Sequence, residues 1–349
     1  MSDSGVYMKI VGDEKSFLIV HVDDGLMMSK DAEGEIDIIK KHYRLTRGEG
    51  LTEFLGREHV VFPGGQVFVH NGTFIGHLLR YWSTHPDHPM NVDDSIKHDV
   101  PLDPRIDLRT EGQKLKHEKW FEELLGQLQF LGVERHDEKL FLKHMSGGLT
   151  GYTKSHELAC LQHLSYLKST QFLGNLYGAE PNSDAPMTIY ADSEFGYNKH
   201  TGLANGGVLF MYKGAVLYSK AITASQVGVS TKDTEYFIVS EAVIKNMAIE
   251  NLTEEMGIDM RGPPVLKQDN EGTIKLITDD QLPPSARHIN SRFHLSRNQY
   301  KENKFKILKI PTQEMLADIL NKPLAKRRFQ ELRHGMGMRT LSEVQSLYG

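Results

Sequence analysis

The chain has 349 residues, which is too long for one ordinary hydrophobic core and suits two or three domains. Hydrophobic residues make up 39% and charged residues 25%, and this balance excludes a disordered or fibrous protein. The net charge of -5 argues against nucleic-acid binding by the chain as a whole, the single cysteine excludes an internal disulfide, and no apolar run approaches the ~18 residues of a membrane span.

The first part of the chain alternates strand pairs with a helix. Residues 16–22 have the pattern of a buried strand, Asp23-Asp24-Gly25 is a turn signal and residues 26–29 resume the apolar run. We therefore predict a hairpin with two acids at its tip, followed by a helix around residues 31–43. A second hairpin is predicted from the strands 53–62 and 66–70, on either side of Pro63-Gly64-Gly65.

The middle of the chain is predicted to be helical after a long linker. Residues 83–112 are rich in Pro, Asp and His without a sustained period, which indicates a loop. Residues 115–131 and 156–167 carry apolar residues at helical spacing and predict a small helical unit. Cys160 falls in the second of these helices, where a buried thiol is favoured over a nucleophile. Small and turn-forming residues at 178–186 then mark a boundary.

Beyond residue 186 the order of elements predicts a mixed sheet with helices packed on it. Three antiparallel strands come first, then a helix, then strands separated by helices, one of which is basic. The strands are predicted at 187–191, 207–212, 215–221, 264–268 and 305–310, with helices at 232–255 and from 313 onward.

Four acids in this part stand near strand ends or within helices, and strand ends and helix starts are where α/β folds place functional groups. They are Asp192, Glu235, Asp269 and Asp318. Carboxylates that converge repel one another unless cations offset their charge, and hard oxygen ligands suit Mg2+ or Mn2+. Two such ions can activate water and stabilise a departing oxygen, as phosphodiester cleavage requires. Spacing alone is a weak signal among 46 acids, so each could instead be an ordinary surface residue.

Positive charge is concentrated near the carboxyl terminus. Residues 285–331 contain eleven Lys and Arg against four Asp and Glu. This segment suits a phosphate-facing surface, and a solvated helical face is the alternative.

The same part of the chain resembles the ribonuclease H domain of copia-type retrotransposons in four ordered motifs. The motifs are Tyr190-Ala191-Asp192-Ser193-Glu194-Phe195-Gly196, Thr234-Glu235-Tyr236 with Ser240-Glu241-Ala242, Gln268-Asp269-Asn270, and Ile310-Pro311-Thr312 with Leu316-Ala317-Asp318-Ile319-Leu320-Asn321-Lys322-Pro323-Leu324. Their order and spacing match together. Phe195 stands where the family usually has tryptophan, and Asn290 stands where it usually has an acid.

The upstream part resembles the reverse transcriptase of the same elements. Val20-His21-Val22-Asp23-Asp24-Gly25 resembles the metal-binding hairpin, Phe54-Leu55-Gly56-Arg57-Glu58 the strand that grips the primer, and the helical unit the thumb and connection. His21 replaces the usual aromatic residue, and Glu134-Arg135-His136-Asp137 departs from the usual proline-bearing turn. Some twenty residues precede Asp23, so we expect a truncated polymerase part that makes no DNA on its own, which primer extension would test.

The resemblance implies an α/β protein with a ribonuclease-H-like mixed five-stranded sheet flanked by helices, preceded by a partial reverse-transcriptase palm and a helical thumb or connection. The expected domains are residues 1–83 for the palm part with both hairpins, 84–180 for the linker and helical unit, and 186–335 for the ribonuclease H domain.

The resemblance also implies two-metal hydrolysis of the RNA strand of RNA–DNA hybrids. Two Mg2+ or Mn2+ ions would be held by Asp192, Glu235, Asp269 and Asp318, with Asp23 and Asp24 as polymerase remnants. The residues expected to bind nucleic acid are Arg287, His288, Arg292, Arg297 and Lys322. The expected partners are hybrid and other parts of the polyprotein but no membrane, in a retroelement particle of the cytoplasm or nucleus rather than in a secreted form. An inactive remnant that only binds nucleic acid is the alternative.

Overall fold

The structure is a computed structural model that describes residues 5–46, 48, 50–92, 97–106, 108, 119–151, 153–180, 183–194, 203–224, 231–279 and 291–349. For residues 150, 232 and 291–293 it describes the backbone alone. The strands within these ranges form one three-stranded sheet and two five-stranded sheets. None of the helices in these ranges combines the length and the apolar character needed to cross a membrane.

The first sheet carries the predicted acidic hairpin. It is an antiparallel meander of β1 (Val6–Val11), β2 (Glu14–His21) and β3 (Asp24–Met28). Helix α1 (Ala32–Lys40) follows and begins at Asp31, whose side chain accepts a hydrogen bond from the amide of Gly34 at 2.9 Å. None of residues 5–46 is buried, so this sheet and its helix form no core of their own.

The second sheet joins segments that lie far apart in the sequence. Its order is β13-β7-β6-β5-β4 and every neighbouring pair is antiparallel. The strands are β4 (Glu53–Phe54), β5 (Arg57–Val61), β6 (Val67–His70), β7 (Leu173–Tyr177) and β13 (Met338–Thr340). The predicted second hairpin is β5 and β6. The pairing of β6 with β7 joins a strand of residues 1–83 to one of residues 84–180. The three-domain division stays a prediction.

Four helices pack around one apolar core between β6 and β7. They are α2 (Gly72–Ser83), α3 (Lys119–Leu131), α4 (Lys139–Gly147) and α5 (Lys154–Ser169). Helices α3 and α5 confirm the two predicted helices within a few residues, whereas α2 and α4 were not predicted. The core includes Trp82, Phe121 and Phe141, and the predicted burial of Cys160 is confirmed because this residue is 1% exposed. In the predicted linker, residues 84–92 and 97–106 contain neither helix nor strand.

The third sheet confirms the predicted mixed five-stranded sheet. Its order is β10-β9-β8-β11-β12, with β9 antiparallel to both β10 and β8, and β11 parallel to both β8 and β12. The strands are β8 (Thr188–Glu194), β9 (Asn205–Tyr212), β10 (Ala215–Thr223), β11 (Val265–Gln268) and β12 (Lys306–Lys309).

Helices cover both faces of this third sheet. They are α6 (Thr231–Glu255), α7 (Glu271–Thr278), α8 (Ser291–Lys301), α9 (Asp318–Asn321) and α10 (Lys326–Gly335). The last helix, α11 (Leu341–Tyr348), packs instead on β7 and β13 of the second sheet. Side chains alternate across β8, because Ile189 and Ala191 join the core beneath α6, whereas Tyr190 joins the core beneath α9 and α10. The sheet is therefore buried on both sides, as its apolar strands predict.

Gly207 lets α9 approach the sheet closely beside Asp192, its partner across the β8–β9 pair. A Cβ atom at Gly207 would lie 2.6 Å from Cβ of Leu320 and 2.7 Å from the carbonyl oxygen of Ala317. The absence of a side chain thus brings the last acidic motif within reach of Asp192.

Candidate active site

Three of the four predicted acids come together. Asp192, Glu235 and Asp269 each offer one carboxylate oxygen, and these oxygens all lie within 4.8 Å of one another. Asp192 lies near the end of β8 and Asp269 directly follows β11, and parallel neighbouring strands end at the same edge of a sheet. Glu235 approaches them from near the start of α6. Across the described ranges, no other three His, Cys, Asp or Glu residues are grouped in this way.

Asp318, the fourth acid, lies close to this cluster without joining it. It begins α9 and is 4% exposed. Its carboxylate is held by two cations, with Lys322 Nζ at 2.7 Å from Oδ1 and Arg328 Nη2 at 3.4 Å from Oδ2. The negative charge of Asp318 is one of the influences that raise the pKa of Asp192, which places it within electrostatic range.

The cluster has the electrostatics of a cation site. Burial, followed by the charges of Asp318 and Asp269, raises the pKa of Asp192 to about 7 even though Asn321 opposes the shift. Burial and the charge of Asp192 likewise raise the pKa of Glu235 to about 8. Both carboxyls therefore lack sufficient positive charge nearby, and a divalent cation would supply it.

The donor set fits a hard metal ion. Oε1 of Glu235 accepts a hydrogen bond from Asn270 Nδ2 at 3.1 Å, whereas its Oε2 is buried and has no hydrogen-bond partner. An unsatisfied buried carboxylate oxygen on a residue grouped with two further acids fits a site for Mg2+ or Mn2+. Asp269 keeps one oxygen occupied, because Oδ2 accepts a hydrogen bond from Thr312 Oγ1 at 2.8 Å.

Buried amides fix the acids in place. Gln268 is fully buried, and its Oε1 accepts hydrogen bonds from the main-chain amides of Asp269 at 2.8 Å and Asn270 at 3.1 Å. Its Nε2 donates to the carbonyl oxygen of Ala191 at 3.2 Å. Gln268 therefore ties the end of β11 to the residue before Asp192. Gln268 and Asn270 belong to the motif Gln268-Asp269-Asn270, in which a role is predicted only for the acid between them.

The residues predicted to bind nucleic acid differ in how far the structure describes them and in their exposure. Arg287 and His288 lie outside the described residues, and Arg292 is described by its backbone alone. Arg297 is 6% exposed, and its guanidinium donates to the carbonyl oxygens of Leu276 and Asp279. A side chain enclosed in this way cannot reach phosphate, so we remove Arg297 from the expected nucleic-acid surface.

The two acids predicted to be polymerase remnants lie in an exposed turn. Asp23 and Asp24 follow Val22, which has a φ of 54°, and both are exposed at the tip between β2 and β3. This position agrees with the predicted hairpin tip. Their role in metal binding stays a prediction.

The raised pKa values predict that the stability of the metal-free protein depends on pH. Folded Asp192 and Glu235 keep their protons up to about 7 and about 8, whereas in the unfolded chain they lose them near ~4. The folded state thus binds more protons between these values, so the free energy of unfolding should fall as pH rises through this window.

Mg2+ should restore the lost stability by replacing the protons. A thermal unfolding series measures this effect. The difference between the melting temperature with Mg2+ and that with a chelator should increase as pH rises from about 5 to about 8. Asp192→Asn should narrow the difference. A difference that stays constant across the series would contradict the assigned electrostatics.

The chain has relatives among retroelement polyproteins, although no protein-family model matches it. It is 24% identical over 344 residues to the retrovirus-related Pol polyprotein from transposon RE1 of Arabidopsis thaliana, which is 97% of this chain and 23% of the relative. Identity and coverage are the same for the polyprotein from transposon RE2 of that plant. The polyprotein from transposon TNT 1-94 of Nicotiana tabacum is 25% identical over 185 residues, which is 53% of this chain and 14% of the relative.

Similar solved structures include a ribonuclease H and a reverse transcriptase. LC11-RNase H1 in complex with RNA/DNA hybrid is 17% identical, covering 39% of this chain and 93% of that chain with a TM-score of 0.30. The prototype foamy virus protease-reverse transcriptase is 10% identical, covering 88% of this chain and 37% of that chain with a TM-score of 0.28. The chain spans about a quarter of the length of the RE1 and RE2 polyproteins, at 23% of each. Over 97% of its length, the chain is similar in sequence to the retrovirus-related Pol polyproteins from transposons RE1 and RE2.

Proposed function

We propose that residues 186–335 are a ribonuclease H-type endonuclease that hydrolyses the RNA strand of RNA–DNA hybrids within a retrotransposon Pol polyprotein. The observation that carries this proposal is the cluster of Asp192, Glu235 and Asp269, whose oxygens lie within 4.8 Å of one another at one edge of the mixed sheet. The four sequence motifs and the similarity to Pol polyproteins support the choice of reaction and substrate.

Asp192, Glu235 and Asp269 would hold Mg2+ or Mn2+, and Asp318 would complete the site for a second ion. Bound ions of this kind supply an activated water and stabilise the departing oxygen. The chain itself holds the acids in position. Gln268 accepts a hydrogen bond from the main chain of Asp269, and Asn270 donates one to Glu235. Lys322 contributes charge, because it neutralises Asp318 at 2.7 Å.

The test is cleavage of an end-labelled RNA–DNA hybrid by the purified full chain with Mg2+. We expect RNA fragments from the hybrid, none from DNA strands, and no cleavage in the presence of a chelator. Binding of the hybrid without cleavage, at saturating Mg2+ and Mn2+, would support the alternative of an inactive nucleic-acid-binding remnant. Absence of both binding and cleavage would refute both functions.

The start of α10 offers a described basic surface beside the acids. Arg328 lies 3.4 Å from Asp318, and its neighbour Arg327 has a side chain that is 94% exposed. Lys326 is also largely exposed. We propose that this surface contacts the phosphate backbone, together with Lys322 and the predicted residues Arg287, His288 and Arg292.

Arg327→Ala should weaken hybrid binding for every sequence and flatten the salt dependence by roughly one unit of slope. Its ion pair with Glu331 is exposed and costs little to break, so folding should be unaffected. Binding titrations at several salt concentrations measure this, with Lys154→Ala on the helical unit as an exposed control. Equal slopes for the two variants would remove Arg327 from the interface.

The remaining expectations are proposals of the same kind. We propose that Asp23 and Asp24 belong to the polymerase part, that other parts of the polyprotein are partners, and that the protein acts in a particle of the cytoplasm or nucleus. The three-domain division at residues 1–83, 84–180 and 186–335 is likewise proposed.

A further inference from the structure

A buried amide holds the central acid of the cluster. Asn321, the last residue of α9, is fully buried, and its Nδ2 donates to Oδ2 of Asp192 at 2.6 Å. A donor on one carboxylate oxygen fixes the plane of the group and thereby the direction of the other oxygen. The side chain of Asn321 is thus in direct contact with a proposed metal ligand.

Asn205 on β9 in turn holds Asn321. It is 3% exposed, and its Nδ2 donates to the main-chain carbonyl oxygen of Asn321 at 3.2 Å. Its Oδ1 accepts a hydrogen bond from Nζ of Lys143. A protonated lysine can only donate, and the carbonyl oxygen of Asn321 can only accept, so the oxygen of the Asn205 amide faces Lys143 and its nitrogen faces Asn321. Lys143 therefore decides the orientation of this amide.

Lys143 belongs to a different part of the chain from the acids. It lies on α4 of the helical unit, and α4 packs against β10 and α9 of the third sheet. Burial lowers the pKa of Lys143 to about 7, although the Glu194 carboxylate opposes this shift. Burying an amine in this way costs free energy unless its hydrogen bonds are satisfied.

We propose that Lys143 is a positioning residue of the nuclease, through which the helical unit orients Asp192 by way of Asn205 and Asn321. The inference rests on the proposed function and extends it, because it makes the metal affinity of the acids depend on a helix outside residues 186–335. The competing explanation is that Lys143 only helps to dock α4 on the sheet. Docking alone would affect stability but would leave the affinity for metal unchanged.

Three variants of the full chain separate these explanations. Asn321→Ala removes the direct donor, and Lys143→Met removes the residue that orients Asn205. Asn205→Asp keeps an acceptor for Lys143 but cannot donate to the carbonyl oxygen of Asn321. This last variant preserves the docking contact while it breaks the chain of hydrogen bonds. Lys154→Met, on the exposed side of α5, is the matched control, because its side chain is 81% exposed.

The measurements are calorimetric Mn2+ binding without substrate and cleavage rate as a function of Mg2+ concentration. We expect Mn2+ affinity to fall roughly 10- to 100-fold in Asn321→Ala and about tenfold in Lys143→Met and Asn205→Asp, the range typical of residues that support metal ligands. Higher Mg2+ concentration should restore the rate of all three variants. Lys154→Met should behave as the parent protein.

Unchanged Mn2+ affinity in folded Lys143→Met would overturn the proposal. If Lys143→Met fails to fold, Asn205→Asp decides the question, and parental affinity in that variant overturns the proposal equally. If Asp192→Asn binds Mn2+ as tightly as the parent protein does, the metal centre itself is refuted. Failure of the positioning role and failure of the proposed function are therefore distinguishable.

Discussion

Asp192→Asn is expected to reduce cleavage of an RNA–DNA hybrid by more than about 100-fold, beyond the loss typical of residues that only support metal ligands. Asparagine has nearly the same shape but is neutral, so it is a poor ligand and leaves the metal charge less well balanced. Single-turnover cleavage at saturating Mg2+ measures the effect. A variant that cuts as fast as the parent protein would refute the metal assignment.

The substitution should not unfold the protein. The carboxyl of Asp192 is buried and its pKa is raised to about 7, so removing its charge relieves repulsion within the cluster. We therefore expect the melting temperature in the presence of a chelator to stay the same or rise. Asp184→Asn is a matched control in the same region, because Asp184 has a side chain that is 90% exposed.

The convergence of the acids could be predicted because it follows from sheet topology. Asp192 and Asp269 come near the ends of two apolar runs, and parallel strands bring such ends to one edge. The helical pattern after residue 231 then placed Glu235 near a helix start. The alternation of Ile189, Tyr190 and Ala191 between two cores is equally a property of the local sequence.

The hydrogen bonds of the supporting amides and the burial of Arg297 could not be predicted, because they depend on contacts between distant segments. Asn321 reaches Asp192 across 129 positions of sequence, and Asn205 meets Lys143 across 62. Arg297 lies within the basic segment, yet it faces the carbonyl oxygens at the end of α7 rather than solvent. Charge in a sequence window indicates where a helix is basic but not which of its sides is covered.

The second sheet was missed for the same reason. Strand β7 was not predicted as a strand, although four of its five residues are buried. It pairs with β6 more than a hundred residues upstream and with β13 more than 150 residues downstream. Local patterns identify a hairpin such as β5 and β6, but they do not reveal which distant strands complete its sheet.

A buried ionic network links the helical unit to α10. Arg135 and Asp137 are each 1% exposed, and two guanidinium nitrogens of Arg135 each donate to a carboxylate oxygen of Asp137 at 3.0 Å. Oε1 of Glu138 lies 3.2 Å from Nε of Arg135. Tyr166 donates to Asp137 and accepts from Arg333 of α10 at 3.0 Å. Burial alone would raise the pKa of Asp137, but Arg135 outweighs it and lowers the pKa to about 2.

Arg135→Met is expected to lower the free energy of unfolding by about 3–5 kcal/mol, because it leaves Asp137 and Glu138 buried without the guanidinium that pairs with both. Arg327→Met is the matched control, since both side chains of its ion pair with Glu331 are exposed, and its loss should cost at most about 1 kcal/mol. Denaturant unfolding followed by circular dichroism measures both variants.

The decrease in the free energy of unfolding caused by Arg135→Met should also depend on pH. In the parent protein the depressed pKa of Asp137 gives stability that is present above the unfolded value of ~4 and is lost as pH falls toward about 2. In Arg135→Met, burial shifts the pKa of Asp137 upward, and Arg333 and Tyr166 are left to oppose the shift. The variant is therefore expected to lose stability as pH rises from ~4 toward neutrality, where the parent keeps it. The difference between the two proteins should therefore grow with pH across that window, and a difference that is constant or shrinks would show that Asp137 does not depend on Arg135 for its charge.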